Sequence, residues 1–222
     1  MDALLRRRAM IAAGGSPTPP PTPTPTFYTY LYFDGTAYVT TDYTLPENCS
    51  IGVRLGNETT KAAQRVFRAT GNGSEVIQMI YSSTTTSTKR YFGIYYDSSS
   101  INSSDKYLNF STTTFNFFLT PKRFGWGTTA SYTYTKGSTH PTGAFQVGGW
   151  GTGQPFTGRM ETIRIYGSDA QNATTAAELA EFTPVATFRP CTYNGEAGFW
   201  YVEGNRFFGN SAGSGTLTAS DS

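Results

Sequence analysis

The chain is short of cysteine, histidine and charge, and each shortage excludes a class of protein. Two cysteines among 222 residues cannot form a disulfide scaffold, and no Cys-x-x-Cys pair or Cys/His cluster indicates a zinc site. Cys49 and Cys191 could form a single bridge or remain free thiols. Charged residues make up only 14% of the chain and aromatic residues 15%, a balance that excludes a disordered chain as a whole.

The formal net charge of +2 has a single source. Arg6, Arg7 and Arg8 against Asp2 account for all of it, so the rest of the chain is neutral. A neutral body lacks the basic stripe that binding to a phosphate backbone needs, and we therefore expect no nucleic-acid partner. No segment is long and apolar enough to predict a membrane span.

Composition divides the chain into three parts. Residues 1–15 combine arginines with leucines at near-helical spacing and end in glycine, which predicts an anchor peptide. A secretion signal is the alternative, but the apolar stretch after the arginines, 9–13, is shorter than a normal signal requires. Residues 16–26 hold six of the twelve prolines and form a semi-rigid Pro/Thr-rich linker. The candidate anchor residues are Leu4, Leu5, Arg6, Arg7 and Arg8.

Residues 27–222 are predicted to be one β domain. Short runs rich in aromatic and β-branched residues alternate with Gly, Asn and Asp turns, which indicates roughly a dozen strands in a sandwich or barrel. Asp34-Gly35 and Gly71-Asn72-Gly73 predict hairpins. One short helix is expected at 176–182, since Thr175 and Glu178 form a capping box and Pro184 ends the pattern.

The longest strand, 156–166, has an unusual pattern. Simple alternation would give two faces of mixed character, and such a strand is typical of a two-layered sandwich in which both sides are partly covered. One face would hold Met160, Thr162, Arg164 and Tyr166; the other would hold Arg159, Glu161, Ile163 and Ile165.

No residue pattern predicts catalysis or a cofactor. Glycosidases on β-sandwiches align carboxylates at alternate strand positions, yet no two of the fifteen acidic residues are two or four positions apart. His140, the only histidine, is expected in an exposed turn, and no Gly-x-Ser-x-Gly elbow accompanies it. Calcium would be compatible with the fold, but no ligand set can be identified. We therefore predict a protein that is not an enzyme.

Aromatic residues on glycine-rich turns are the candidate glycan-binding site. Trp126 and Trp150 share a Gly-Trp-Gly-Thr pattern, and Tyr132 and Tyr134 lie between them. A tryptophan flanked by glycines can expose its face and stack on a sugar ring. The alternative is that both tryptophans pack in the core or between subunits. Trp200 is expected in the core.

A series of motifs spans the C-terminal third. The motifs are Gly158, Ile163-Arg-Ile-Tyr166, Glu181-Phe-Thr-Pro184, Arg189-Pro-Cys191, Gly198-Phe-Trp-Tyr201, Arg206-Phe-Phe208 and Asn210-Ser-Ala-Gly-Ser-Gly-Thr216. This series resembles the laminin G-like, concanavalin A-type jelly rolls of phage and prophage structural proteins. The run Tyr38-Val-Thr-Thr-Asp-Tyr43 looks like their first sheet strand, with Val39-Thr40 in place of the usual Ile-Asp. The N-terminal Met1-Asp-Ala-Leu-Leu-Arg-Arg-Arg8 resembles the opening of virion proteins from phages of gut bacteria.

The resemblance implies an all-β jelly roll of two antiparallel sheets whose closing Gly-rich segment pairs with the first strands. It implies a lectin-like structural protein on the exposed virion surface, in a fibre, decoration or tail. Its expected partners are other virion proteins at the N-terminal peptide, further copies of itself (a trimer by analogy) and host-surface polysaccharide. A glycan depolymerase on the same fold and a secreted bacterial carbohydrate-binding adhesin remain the alternatives.

Overall fold

A computed structural model describes most of the predicted β domain. It covers residues 23–56, 64–71, 76–83, 89–109, 114–127, 130–149 and 155–221. The predicted anchor peptide, with Leu4, Leu5, Arg6, Arg7 and Arg8, lies outside the described residues, as do Trp150 and part of the linker. No helix in the covered ranges is long and apolar enough to span a bilayer.

The described chain forms two antiparallel sheets. In chain order the strands are β1 (Thr26–Phe27), β2 (Tyr30–Asp34), β3 (Val39–Thr44), β4 (Ser50–Gly56), β5 (Gln64–Thr70), β6 (Val76–Ser83), β7 (Lys89–Tyr96), β8 (Ser99–Asn109), β9 (Thr114–Leu119), β10 (Arg123–Trp126), β11 (Ala130–Thr133), β12 (Ala144–Val147), β13 (Thr157–Tyr166), β14 (Pro184–Tyr193), β15 (Glu196–Tyr201), β16 (Arg206–Phe208) and β17 (Leu217–Ser220). A 3-10 turn (Ser168–Ala170) and helix α1 (Ala176–Leu179) follow β13.

The large sheet has the order β11-β10-β9-β4-β13-β14-β15-β16, and β1, β2 and β17 pair beside this path. The small sheet has the order β3-β12-β5-β6-β7-β8. This arrangement confirms the predicted all-β, two-sheet antiparallel jelly-roll sandwich with one short helix. The predicted β5–β6 hairpin is also confirmed.

The core between the sheets is built from phenylalanine. Phe117 of β9 and Phe67 of β5 have ring centroids 6.2 Å apart and thereby join the two sheets. Phe145 of β12 continues the contact, 6.0 Å from Phe67 and 5.8 Å from Phe188 of β14. Each fully buried ring contributes about 1.5–3 kcal/mol relative to an exposed one, so this chain of rings is a main source of stability.

Strand β13 does not alternate as the sequence pattern predicts. Met160 lies opposite Leu55, while Ile163 lies opposite Val53, so two residues of β13 face one residue of β4. This bulge returns Ile163 to the buried face that Met160 already occupies. The predicted division of 156–166 into two mixed faces is therefore wrong, because the register shift places the apolar side chains on the core side.

The Asp34-Gly35 turn joins the two sheets and is not the hairpin that the sequence predicts. Strand β2 pairs with β13 and β17, while β3 pairs with β12 in the small sheet. The Asp34 carboxylate accepts hydrogen bonds from the backbone of Thr36 and Ala37 and from the backbone of Thr216 just before β17. The pairing of β17 with β2 confirms the expected return of the closing segment to the first strands.

Helix α1 begins as predicted but is shorter. The Thr175 side chain accepts a hydrogen bond from the Glu178 backbone, and the Glu178 carboxylate accepts one from the Thr174 backbone. The helix ends at Leu179 rather than extending to residue 182. Leu179 packs with Tyr166 and Phe118 on the outer face of the large sheet, so the short helix covers one part of that face.

The two cysteines are both buried thiols, and the single bridge that the sequence left open does not form. Cys49 lies just before β4, and its carbonyl accepts a hydrogen bond of 2.6 Å from the Tyr96 hydroxyl. Cys191 lies within β14. Burial raises the pKa of each thiol to about 12, which keeps both protonated at neutral pH.

Candidate functional site

The structure brings three of the four predicted glycan-binding residues together at one end of the large sheet. Trp126 is only 8% exposed, and its ring stacks on Phe92 at 4.5 Å. Tyr132 is half-buried, 5.3 Å from Trp126. Tyr134 donates a hydrogen bond to the Thr120 carbonyl, and burial raises the pKa of its phenol. Glycan binding here stays a prediction, and the burial of Trp126 leaves little of its ring for stacking.

His140 is not the exposed turn residue that the sequence predicts. Its Nδ1 lies 2.9 Å from Oδ1 of Asp97, and its Nε2 lies 2.8 Å from the Leu45 carbonyl oxygen. Lys136 contacts the other oxygen of Asp97 at 3.1 Å. Both ring nitrogens are therefore used to fix the 134–143 segment, which is a structural role.

A groove on the outer face of the large sheet is a candidate site that sequence reasoning missed. This arginine groove has a volume of about 330 Å³, with β4, β9 and β13 as its floor and α1 as one wall. Gly52 lies in the floor, where a Cβ atom would come within 3.4 Å of Leu179. The polar side chains that line the groove are Arg54, Asn116, Glu161, Thr162 and Arg164.

Strand register positions the charged groups of the arginine groove. Arg164 of β13 lies opposite Gly52 of β4. The bulge sets Glu161 and Thr162 against Arg54, and Glu161 is the one that forms an ion pair with it. Because Gly52 and Arg54 are two residues apart on one strand, Arg164 and Arg54 are diagonal neighbours on the same face. The absence of a side chain at Gly52 leaves the space between them open.

The charges in the arginine groove are unequal. Arg54 Nη1 lies 3.4 Å from Glu161 Oε1, with the two side chains 51% and 28% exposed. Arg164 is exposed, and among the described residues no carboxylate forms an ion pair with it. Its positive charge reaches the Tyr166 phenol, where it opposes the rise in pKa that burial causes. Two guanidinium groups and one carboxylate leave the groove positive.

A second feature of the same face is a group of rings that we call the aromatic patch, formed by Tyr193, Trp200 and Phe207. The Tyr193 ring lies 5.3 Å from Trp200 and 5.5 Å from Phe207, and all three residues are half-buried. Trp200 alternates with the fully buried Phe199 and so points away from the core. The prediction of Trp200 as a core residue is wrong, because it lies on the opposite face of β15.

Gly198 and Arg189 complete the surroundings of the aromatic patch. A Cβ atom on Gly198 would lie 2.8 Å from Cε2 of Phe207, so the glycine allows that ring to lie against β15. Arg189, opposite Trp200, places its guanidinium 4.0 Å from the ring centroid of Phe27. Arg164 of the groove lies on β13 and Trp200 of the patch lies on β15, two strand spacings apart, so these two residues are about 10 Å apart across the sheet.

The sequence contained part of the signal for the arginine groove. Alternation within β4 predicts that Gly52 and Arg54 share the solvent face. It does not predict that β9 and β13 flank β4, because both pairings join residues that are 58 or more positions apart. Within the described ranges, no group of three or more His, Cys, Asp or Glu residues could hold a metal ion.

Comparison with known proteins gives similarities in three-dimensional structure only. No protein-family model matches the chain, and no curated protein matches it in sequence. It is similar to a native heptameric SAP-like pentraxin from Limulus polyphemus, with 11% identity over 69% of this chain and 80% of the pentraxin and a TM-score of 0.49. It is also similar to mouse laminin alpha1 domains LG4-5, with 12% identity over 63% of this chain and a TM-score of 0.45.

A third similar structure is a candidate carbohydrate-binding protein from Bacteroides ovatus, with 12% identity over 89% of this chain and a TM-score of 0.49. The chain spans 41% of the laminin structure and 61% of the Bacteroides protein. All three TM-scores lie below 0.5, so these likenesses carry no argument about function. The fold class rests on the strand pairing described above, and the phage family implied by the sequence motifs stays a prediction.

Proposed function

We propose that this chain is a non-enzymatic glycan-binding jelly roll whose binding surface is the outer face of the large sheet. The observation that supports this proposal most directly is the arginine groove, an open space of about 330 Å³ lined by charged, amide and hydroxyl side chains. Sugars present many hydroxyl groups that both donate and accept hydrogen bonds. Arg54 supplies donors, Glu161 supplies acceptors and Asn116 supplies both.

The aromatic patch extends this surface. Apolar faces of sugar rings stack on aromatic side chains, and half-exposed rings offer that contact without a large conformational change. The distance of about 10 Å across the sheet between Arg164 and Trp200 suits a chain of sugars better than a single sugar. An extended glycan would lie across the strands, with polar contacts at Arg164 and a ring contact at Trp200.

The small number of carboxyl groups in the arginine groove favours a binding role over a hydrolytic one. Glycoside hydrolysis uses a pair of carboxyl groups on either side of the scissile bond. Glu161 is the single acidic residue among the groove's described lining residues, and it contacts Arg54. No specific feature of the site supports the depolymerase alternative.

Display on a virion is part of the same proposal and is supported by the sequence. The arginine-rich peptide at 1–15 would attach the protein to other virion proteins, and the linker at 16–26 would hold the jelly roll away from the particle. Many copies, assembled as trimers by analogy with fibre proteins, would convert weak sugar contacts into firm attachment. The exposed virion surface is then the expected location.

A glycan array probed with the full-length protein tests the binding proposal. Gly52→Val, which fills the arginine groove, and Trp200→Ala should each lower binding about tenfold or more, a change of about 1.4 kcal/mol. Tyr132→Ala alters the predicted Trp126–Tyr132 site on β10 and β11, at the edge of the large sheet far from the aromatic patch, and should bind like the wild type. Circular dichroism should show that each variant is folded.

If Tyr132→Ala alone lost binding, the glycan-binding site would be at the residues predicted from the sequence, around Trp126 and Tyr132, and not at the arginine groove. Absence of binding to every glycan on the array would overturn the proposed function.

A further inference from the structure

The charges of the arginine groove point to a more specific ligand, and this inference rests on the proposed glycan-binding function. We propose that the groove selects glycans that carry carboxylate groups, such as polymers of uronic acids, over their neutral counterparts. The residues that would make this selection are Arg164 and Arg54, with Gly52 providing the space between them.

Arg164 has the position that an anion-binding residue requires. Its neighbours on the adjacent strands are Gly52 of β4, which has no side chain, and Thr187 of β14, whose side chain is uncharged. Neither residue can neutralise the Arg164 guanidinium. The residue is exposed, and within the described part of the chain it forms no ion pair with a carboxylate. A cation held on a rigid strand beside an open groove is available to a ligand without first breaking an internal contact.

Arg54 adds a second positive group with limited internal use. Within the described part of the chain, Arg54 forms one ion pair, which joins Nη1 to Glu161 Oε1 at 3.4 Å and is longer than a good charge-assisted hydrogen bond. A guanidinium has five N–H donors, so most of the Arg54 donors remain available for a ligand. Glu161 orients Arg54 and would repel an acid placed beside it, so the ligand's acidic group is expected at the Arg164 end.

Two other arginines of this face have different surroundings. The Arg159 guanidinium lies 4.6 Å from the Tyr30 ring centroid, and the Arg189 guanidinium lies 4.0 Å from that of Phe27. Both are held over aromatic rings rather than directed into the groove. Arg159 lies on β13, like Arg164, and their β4 partners Gly56 and Gly52 are four residues apart, so the two arginines are about 13 Å apart along the strand. It therefore provides a matched control on the same strand and face.

A carboxylate is the anion that fits this arrangement best. The planar guanidinium matches a planar carboxylate through two parallel N–H···O hydrogen bonds. Hydrogen bonds to charged groups are the stronger ones, so removal of the ligand's charge or of the Arg164 fork should weaken binding about 10- to 100-fold. A lysine at this position would keep the charge but lose the two-point geometry.

Binding of the full-length protein to immobilised polygalacturonate, alginate and hyaluronate provides the test. Each polymer is presented with free carboxyl groups and after methyl esterification, which removes the charge and keeps the sugar backbone. The variants are Arg164→Gln, Arg164→Lys and the control Arg159→Gln, and dextran sulfate against dextran tests for a sulfate ligand.

We expect at least one of the three acidic polymers to bind, and its methyl ester to bind about tenfold or more weakly. Arg164→Gln should reduce binding of the acid to the level of the ester, Arg164→Lys should give an intermediate value, and Arg159→Gln should match the wild type.

Several results would overturn the inference. Equal binding of acid and ester, wild-type binding by Arg164→Gln, or tighter Arg164-dependent binding of dextran sulfate would each do so. If none of these polymers binds while neutral glycans on the array do, the carboxylate inference fails and the proposed function stands. If nothing binds in either experiment, both fail.

Discussion

Nδ1 of His140 lies 2.9 Å from a carboxylate oxygen of Asp97, whose side chain is only 1% exposed. Asp97 belongs to the tight turn between β7 and β8, and its backbone has a positive φ of 49°. His140 belongs to the segment between β11 and β12, and its second nitrogen reaches the Leu45 carbonyl. One side chain therefore fixes three loops of the sandwich to one another.

Replacement of this histidine should destabilise the fold. In His140→Ala, the buried Asp97 carboxylate and the Leu45 carbonyl each lose a hydrogen-bonding partner, which should cost about 1–3 kcal/mol. Urea unfolding monitored by circular dichroism measures the loss. The control is Lys136→Met, whose partly exposed ion pair with Asp97 should contribute less than about 1 kcal/mol. Equal losses in the two variants would contradict the structural role of His140.

The Asp34 carboxylate should make stability depend on pH. Burial acts to raise its pKa, but hydrogen bonds from Thr36, Thr216 and Ala37 outweigh this and hold the pKa below the ordinary value of 3.8. A lowered folded-state pKa means that the contribution is complete above the unfolded-state pKa and is lost as pH falls through the folded-state pKa. Asp34→Asn should therefore be less stable than the wild type at pH 7, and the difference should shrink at pH 2–3.

Thermal melts at several pH values check this sign. Asp169→Asn, a change of an exposed carboxylate on the 3-10 turn, serves as the comparison. If the Asp34→Asn variant differed from the wild type by the same amount at every pH, the hydrogen-bonded carboxylate would not be the cause.

The two thiols should be unreactive in the folded protein. Cys49 and Cys191 are fully buried, and burial raises the pKa of each to about 12, so little thiolate forms near pH 8. Ellman's reagent should detect no thiol before denaturation and two per chain after it. Detection of none after denaturation without reductant would indicate a disulfide and contradict the structure.

Gly198 should tolerate no side chain. A Cβ atom would lie 2.8 Å from Phe207 and still closer to the Phe208 carbonyl oxygen, so Gly198→Ala must separate β15 from β16. Overpacking of this kind costs about 1–3 kcal/mol, and the aromatic patch should lose its geometry with it. The control is Gly52→Ala in the same sheet, where the nearest atoms are 3.4 Å and 3.5 Å away. The urea midpoint should fall more in Gly198→Ala than in Gly52→Ala. Equal midpoints would show that a side chain at position 198 is tolerated.

Particle association tests the proposed virion anchor. Full-length protein and a form that lacks residues 1–26 are each mixed with purified virions and separated by density centrifugation. Only the full-length form should co-purify with the particles, because the arginine-rich peptide would make the contact. Equal recovery of both forms, or of neither, would refute the anchor and favour the secreted adhesin instead.

The sequence predicted the fold class well because the relevant signals are local. Runs such as 64–69 and 115–119 have alternation and turn residues that specify strands without knowledge of their partners. The hairpin predicted at Asp34-Gly35 is wrong because the same dipeptide occurs both in hairpins and in turns that cross between sheets. Only the positions of β13 and β17 beside β2 distinguish these cases.

The candidate site was less predictable because it depends on long-range pairing. The net charge of the domain is neutral, and that sum hid the fact that Arg54 and Arg164 meet on one face. The bulge at Glu161 has no clear sequence signature, yet it decides which side chains of β13 enter the groove. The closing motif predicts Trp200 in the core, whereas the face that it occupies follows from its pairing with Arg189.

The position of β2 has a mechanical consequence. It pairs with β13 on one side and with β17 on the other, and β1, just before it, pairs with β14. The hydrogen bonds between paired strands run perpendicular to the strands. A pull on the chain at Thr26 along the strand axis would therefore load the β1–β14 pairing and the two pairings of β2 in shear. The bonds would then have to break together rather than one after another, and a tether attached at this point would resist force well.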